Sequence, residues 1–327
     1  MKHLTILVPK GHNNLSSIVG TYKVFKRANE YRKQLGKKEV FQIELAGLSK
    51  TVTFHEGLFT VKPHTHISAI KKTDLIIVPA IGKDFSNSLS VNSAIVEWIK
   101  NRYSNGAEVA SLCTGAFLLA STGLLKGRSC STHWYAEEAF KKMFPDVKLE
   151  SGKLITDEKG IYTNGGAFSF LNLLIYLVEK YYDRQTAIYC SKIFQVDIDR
   201  NSQGAFTIFS TQKDHQDELV KRAQDLMERH RDQNLSLQEL ADRFAISRRN
   251  FDRRFFNATG FTPAEYRQRV KVERAKKAFE SSRRQIREVM YDVGYSDVRA
   301  FREAFRSITG LTPLEYRNKY NKEFSES

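Results

Sequence analysis

Cysteine is scarce in this 327-residue chain: Cys113, Cys130 and Cys190 are all it has. An odd count without ligand-like spacing excludes a disulfide framework and a cysteine-built metal site, and it fits a reducing, cytoplasmic setting. Long apolar runs are missing too. None reaches the roughly 20 residues of a membrane helix, so no membrane partner is expected. The opening Met1–Pro9 stretch is too short for a signal peptide and reads as a buried strand. No tract is of low complexity. Acidic residues are the minority, 37 against 52 basic, which leaves a net charge of +15. His64-Thr65-His66 lacks a third ligand at a recognisable spacing, so no metal is expected, and nothing calls for a cofactor. The length suits two domains, each large enough for its own core.

What the chain does have is a repeat. Thr259-Gly260-Phe261-Thr262-Pro263-Ala264-Glu265-Tyr266-Arg267 returns as Thr309-Gly310-Leu311-Thr312-Pro313-Leu314-Glu315-Tyr316-Arg317, with seven of nine positions identical. Phe251 and Phe255 match Phe301 and Phe305 at the same offset. Ser236, Thr262 and Thr312 each precede a Glu by three residues, the spacing of a capping box. Pro263 and Pro313 take the first helical position, where the missing N–H costs nothing. Each copy therefore reads as a short helix, a turn and a second helix. Ala245-Ile246 makes the first turn, with Ser247 capping the next helix. Gly294 makes the second turn, with Ser296 expected as the cap.

In each second helix the two Phe residues, four apart, face a core. Arg248, Arg249, Asn250 and Arg253 are left outside in the first copy, and Asp297, Val298, Arg299, Arg302 and Arg306 in the second. These nine are the candidate DNA-contacting residues, because the second helix of such a pair enters the major groove. A bundle with a solvated arginine face is the plainer reading, but it does not explain the duplication. Between Arg243 and Arg287 the net charge is +10, whereas Asp297 and Glu303 dilute the second helix. The first copy is thus expected to be the stronger phosphate anchor and the second to tolerate a more variable half-site.

This region, about residues 213–320, resembles the DNA-binding domain of AraC-type transcriptional regulators. The resemblance rests on the Ser-capped second helix, its Phe, the Gly-x-Thr-Pro-x-x-Tyr segment and the basic helix joining two such units. It implies double-stranded DNA as partner, a homodimer and a contact with RNA polymerase. Lys271 departs from the pattern, since relatives carry Arg there; charge is kept but the forked donor geometry is lost.

Residues 1–195 alternate apolar strands with amphipathic helices. Strands are expected at Leu4–Val8, Val40–Leu45, Leu75–Val78, Val109–Leu112, Leu154–Asp157 and Ile161–Asn164, with a turn at Lys159-Gly160. Helices are expected at Leu15–Leu35, Val91–Tyr103, Gly115–Leu125, His133–Met143, Phe168–Tyr182 and Arg184–Phe194. Such alternation makes an α/β domain, a mainly parallel, flavodoxin-like sheet with helices on both faces. The all-α domain with two helix-turn-helix units is expected at 213–327, joined to it through a linker at 196–212.

Ala110-Ser111-Leu112-Cys113-Thr114-Gly115 places a thiol where a strand turns into a helix. That is a nucleophile-elbow geometry, and a helix N-terminus there is expected to lower the thiol pKa. Together with Thr132-His133-Trp134 and Thr163-Asn164-Gly165-Gly166, this domain resembles that of GlxA-type regulators, in the PfpI-like branch of the class I glutamine amidotransferase superfamily. The resemblance covers about residues 3–195. Enzymes on that fold pair the Cys with a His, often the next residue, and with a carboxylate from the first helix. Here Thr114 follows Cys113, and the helix offers Ser16, Ser17 and Gly20. Catalysis is therefore not expected. Cys113, Thr114, His133 and Gly82 are candidates for lining a pocket for a small-molecule effector of unknown identity. A purely structural or dimerising domain stays open, as does a cysteine-dependent hydrolase or lyase with a tethered DNA-binding domain. His133 has the plainer reading of a helix cap, and Cys130 and Cys190 that of core fillers.

Overall fold

The run Leu75–Val78 is buried at every residue, which a strand achieves only when both faces of its sheet are covered. In the computed structural model its side chains alternate between two cores. Leu75 and Ile77 join Ile18, Phe25 and Leu174 on one face; Ile76 and Val78 join Ile95, Ile99 and Phe117 on the other. The structure describes the chain except residues 12, 199, 201, 210–212, 214, 230–234 and 322–327. It divides into two units, Met1–Asn201 and Ser202–Ser327.

The first unit is an α/β fold around a seven-stranded sheet. Across the sheet the strands run Ile155–Glu158, Ile161–Asn164, Glu108–Ser111, Leu75–Val78, Lys2–Val8, Phe41–Gly47 and Thr65–His66. Every neighbouring pair is parallel except the first, an antiparallel hairpin turning at Lys159 and Gly160, both at positive φ. Helices Leu15–Gln34, Phe170–Tyr181 and Arg184–Phe194 cover one face. Phe85–Val91, Ser93–Ser104, Ala116–Ser121 and Glu137–Met143 cover the other.

Two local features differ from expectation. The helix expected over Val91–Tyr103 is two helices that break at Asn92. The buried Asn92 amide donates to the carbonyls of Ser88 (2.8 Å) and Lys10 (3.0 Å), so a tertiary contact sets the break. A small hairpin, Val52–Phe54 with Phe59–Val61, fills a stretch that reads only as polar sequence.

The second unit is helical, with two cores. Phe251, Phe255 and Tyr266 sit in one, Phe301, Phe305 and Tyr316 in the other. Ser236, Thr262 and Thr312 form complete capping boxes. Gly260 and Gly310 close the helices Arg248–Thr259 and Val298–Thr309 in the left-handed conformation. The helix Pro263–Ser281 takes part in both cores, through Tyr266 and Val270 in one and Ala275 and Phe279 in the other. Each repeat Tyr donates its phenol to a carboxylate on a preceding helix: Tyr266 to Glu228 at 2.7 Å and Tyr316 to Glu280 at 2.5 Å.

The stretch expected as a linker, 196–212, is in part built into this unit. Gln203, Gly204 and Ala205 are buried, and Phe209 packs on the first core. The absence of a side chain at Gly204 lets the backbone approach its neighbours that closely. Residues 199, 201 and 210–212 of the expected linker lie outside the described residues.

Candidate functional site

Cys113 follows the interior strand Glu108–Ser111 at the carboxyl edge of the sheet, where open parallel sheets bind ligands. Its φ is +53°, a strained value for a residue with a side chain. The strain is held from several sides. The Cys113 N–H donates to Asn164 Oδ1 at 2.9 Å, and its carbonyl accepts from Thr132 Oγ1 at 3.0 Å. Thr114 Oγ1 donates to the Ile81 carbonyl at 2.6 Å. A Cβ on Gly115 would lie 2.5 Å from the Pro79 oxygen and 2.6 Å from that of Val78, so only glycine lets the turn sit so close to the neighbouring strand end.

These contacts gather all four pocket candidates. Gly82 adjoins Ile81, which Thr114 holds, and the Thr132 bond brings His133 to the Cys113 turn. Burial raises the Tyr135 pKa, with a smaller contribution from Cys113, and the Lys83 ammonium lies 5.3 Å from the centre of the Tyr135 ring. Two residues escaped the sequence reading. Asn164 holds the Cys113 amide; it lies in Thr163-Asn164-Gly165-Gly166, where residue type alone does not point to that contact. Asn13, 7% exposed, donates its amide to the Pro9 carbonyl at 2.6 Å and bridges to Ile81, while its buried Oδ1 has no partner among the described residues.

The expected activated thiol is not what the site contains. Cys113 is 6% exposed, and burial pushes its thiol up to about 11; Thr114 pulls the other way and is outweighed. The turn continues into a single short 3-10 turn and a six-residue helix, a weak dipole against a large desolvation cost. His133 accepts the Tyr135 N–H on Nδ1 at 3.1 Å, so it caps the turn Trp134–Ala136. Burial lowers its pKa, which keeps the ring neutral at pH 7.

On the first helix, Ser17 Oγ donates to the Asn14 carbonyl at 2.7 Å and accepts the Ala80 N–H at 3.2 Å. A Cβ on Gly20 would lie 2.7 Å from the Phe170 ring, which leaves no room for a longer side chain. His64 and His66 are engaged locally, with the Leu45 N–H and with Ser68. Among the described residues no group of three or more His, Cys, Asp or Glu could hold a metal ion. None of the described helices is long and apolar enough to cross a membrane.

In the second unit, Arg249 and Arg253 are exposed on the helix Arg248–Thr259, while Arg248 and Asn250 are half-buried. Arg248 Nε pairs with Asp252 at 2.8 Å, and Arg253 donates to Asn250 Oδ1 at 3.1 Å. On Val298–Thr309, Arg299, Arg302 and Arg306 are exposed, and Arg299 pairs with Glu303 at 2.8 Å. Two candidates also have structural roles. Asp297, rather than Ser296, caps this helix by accepting the Ala300 N–H at 2.6 Å. Val298 is apolar and packs on the second core.

Several basic residues of the first copy are committed within the protein. Arg254 grips Asp217 with two bonds, at 2.8 and 2.9 Å. Arg267 donates to the Leu235 carbonyl at 2.6 Å, Lys271 to Gly294 at 2.8 Å, and Arg274 to Glu228. The local charge of +10 therefore overstates what can face phosphates.

A model of the DJ-1/PfpI family matches residues 4–179, and one of the helix-turn-helix domain matches residues 240–319. The transcriptional regulator CdhR of Pseudomonas aeruginosa is 26% identical over 241 residues, covering 73% of this chain and 70% of its own length. The isonitrile hydratase of Pseudomonas putida is 26% identical over 137 residues, covering 42% of this chain and 57% of its own. A solved AraC family transcriptional regulator from Pseudomonas putida shares the fold with a TM-score of 0.50 at 18% identity, covering 59% of this chain and 100% of that one.

Proposed function

The chain belongs to the DJ-1/PfpI family and is a DNA-binding transcriptional regulator, and on that premise we propose that the Cys113 turn walls a sensing pocket rather than a catalytic site. The protonated thiol carries this reading. A nucleophile must be a thiolate, and the burial that pushes the Cys113 thiol up to about 11 leaves it protonated at pH 7. Ser17 and Gly20 add support, since neither supplies an orienting carboxylate. The effector is a small molecule held by Cys113, Thr114, His133 and Gly82, with the buried Asn13 Oδ1 accepting one of its donors. Arg248, Arg249, Asn250 and Arg253 contact DNA from the first recognition helix, and Arg299, Arg302 and Arg306 from the second. The regulator acts as a homodimer in the cytoplasm and touches RNA polymerase.

Alkylation of Cys113 across a pH series tests the thiol directly. The rate should stay low at neutral pH and rise only as pH approaches about 11. Alkylation that saturates below pH 7 would overturn the assignment. A second reading, a cysteine-dependent hydrolase or lyase with a tethered DNA-binding domain, draws on the strained φ of Cys113. Turnover of an amide, peptide, glyoxal or isonitrile by the full chain, lost in Cys113→Ala, would favour it. Under the sensing reading Cys113→Ala keeps basal DNA binding and alters the response to an effector.

A further inference from the structure

The chain enters the helical unit through a segment that forms only one 3-10 turn, Gly204–Phe206, yet is fastened along its whole length. We propose that residues 202–209 act as a strap that fixes the two recognition helices relative to each other, and so sets the half-site spacing the protein accepts. The inference rests on the DNA-binding reading and concerns residues that lie outside both repeat motifs but touch them.

At one end the strap lies on the C-terminus of the second recognition helix. A Cβ on Gly204 would sit 2.5 Å from the Ile308 oxygen and 2.7 Å from the Thr309 carbonyl carbon. A Cβ on Gly310, the residue that closes that helix, would lie 2.9 Å from Ser202 Oγ. Tyr320 donates its hydroxyl to the Ala205 carbonyl at 3.0 Å, and the Lys319 ammonium lies 4.5 Å from the centre of the Phe206 ring.

In the middle the strap is gripped by the linking helix Pro263–Ser281. Lys276 is 3% exposed, pairs with Glu273 at 2.6 Å and donates to the Thr207 carbonyl. Glu273 in turn accepts the Phe209 N–H at 3.1 Å. At the far end the Phe209 ring meets Phe261 at 6.1 Å and Tyr266 at 5.2 Å, both edge-on, in the first core.

The strap thus ties three things: the end of the second recognition helix, the middle of the linking helix, and the first core. The linking helix has 19 residues, about 28 Å at 1.5 Å per residue. That length suits two major-groove segments about one turn of DNA apart. A single rod between two modules leaves the roll of one against the other softly determined. A second tie, anchored on a buried ion pair, removes that freedom. A buried pair of this kind is weak as a source of stability and better understood as a device that specifies geometry. Gly204 and Lys276 are on this account positioning residues: they act on DNA through the recognition helix they hold.

The test uses the full chain and a duplex that the wild type enriches from a random-sequence pool. One base pair, about 3.4 Å, is then inserted or removed between the two protected segments. A third duplex carries the first segment alone. The wild type should lose roughly 100-fold in affinity at either altered spacing, because both modules can no longer engage at once. Gly204→Ala and Lys276→Met should bind the selected duplex roughly tenfold more weakly but lose little further at altered spacing. Both should bind the single-segment duplex as the wild type does, which reports on DNA binding separately from spacing. Lys276→Arg, which keeps the cation, should restore the discrimination. Unchanged spacing preference in Gly204→Ala and Lys276→Met would overturn the proposal. So would a matching loss on the single-segment duplex, since the strap would then only hold the fold together.

Discussion

The two helix-turn-helix copies keep the same skeleton and differ on the surface. Phe251 and Phe255 pair with Phe301 and Phe305 as buried rings, and both recognition helices end in a left-handed glycine. Their outer faces share Arg249 and Arg299 but differ at neighbouring positions. Arg248 aligns with Val298, Asn250 with Ala300, and Arg253 with Glu303. The caps differ as well, Ser247 on one and Asp297 on the other. A duplicated module retains what its core requires and is free to change what faces a partner. On the proposed DNA-binding reading, the parts that differ are accordingly where the two copies would prefer different bases.

The largest effect should come from the shared skeleton. Phe255→Ala and Phe305→Ala each empty a fully buried site, and such changes cost about 3–5 kcal/mol. Both should melt the helical unit well below the wild type while the near-ultraviolet signal of the α/β unit persists. A helical unit that melts like the wild type in either variant would break the claim of a common core.

A middle-sized effect should separate the two faces. Arg249→Ala should cost about 1–3 kcal/mol of discrimination between a selected site and one with a base changed in the first segment. Arg299→Ala should cost less, because Glu303 already holds its guanidinium and the neighbouring carboxylate weakens attraction to phosphate. Salt titrations of binding read both. Equal losses would remove the asymmetry between the copies.

The smallest effect concerns the caps. Ser247→Ala and Asp297→Ala should each lower stability by about 1 kcal/mol and leave base preference unchanged. A shift in the preferred base on replacing Asp297 would return it to the DNA-contacting set. Denaturant melts with parallel binding to a one-base-substituted series give both readouts.

What could be read in advance was what is written locally. Capping boxes at Ser236, Thr262 and Thr312 are set by residues three apart, and they form where the spacing puts them. The strand Leu75–Val78 and the Cys113 turn were legible for the same reason. Features settled by tertiary contact were not. Asn92 breaks a helix because its amide reaches Lys10, 82 residues away. The direction of the Cys113 pKa followed burial, which the strand-turn-helix pattern does not report. Ser296 was a plausible cap, but the helix begins one residue later and Asp297 takes the place. The strap looked like a linker because its fastening depends on Lys276 and Tyr320, far along the chain.

The tyrosine contacts carry a consequence for how the helical unit comes apart. Tyr266 closes the first copy against Glu228 on the helix before it, and Tyr316 closes the second against Glu280. Glu280 lies on Pro263–Ser281, the helix that also carries Tyr266. One helix is thus the lid of the first copy and the floor of the second. The copies overlap instead of abutting, so neither can unfold and leave the other a complete core. Heat or denaturant should therefore melt them in one cooperative step, with no half-folded species in which a single module survives to occupy DNA alone.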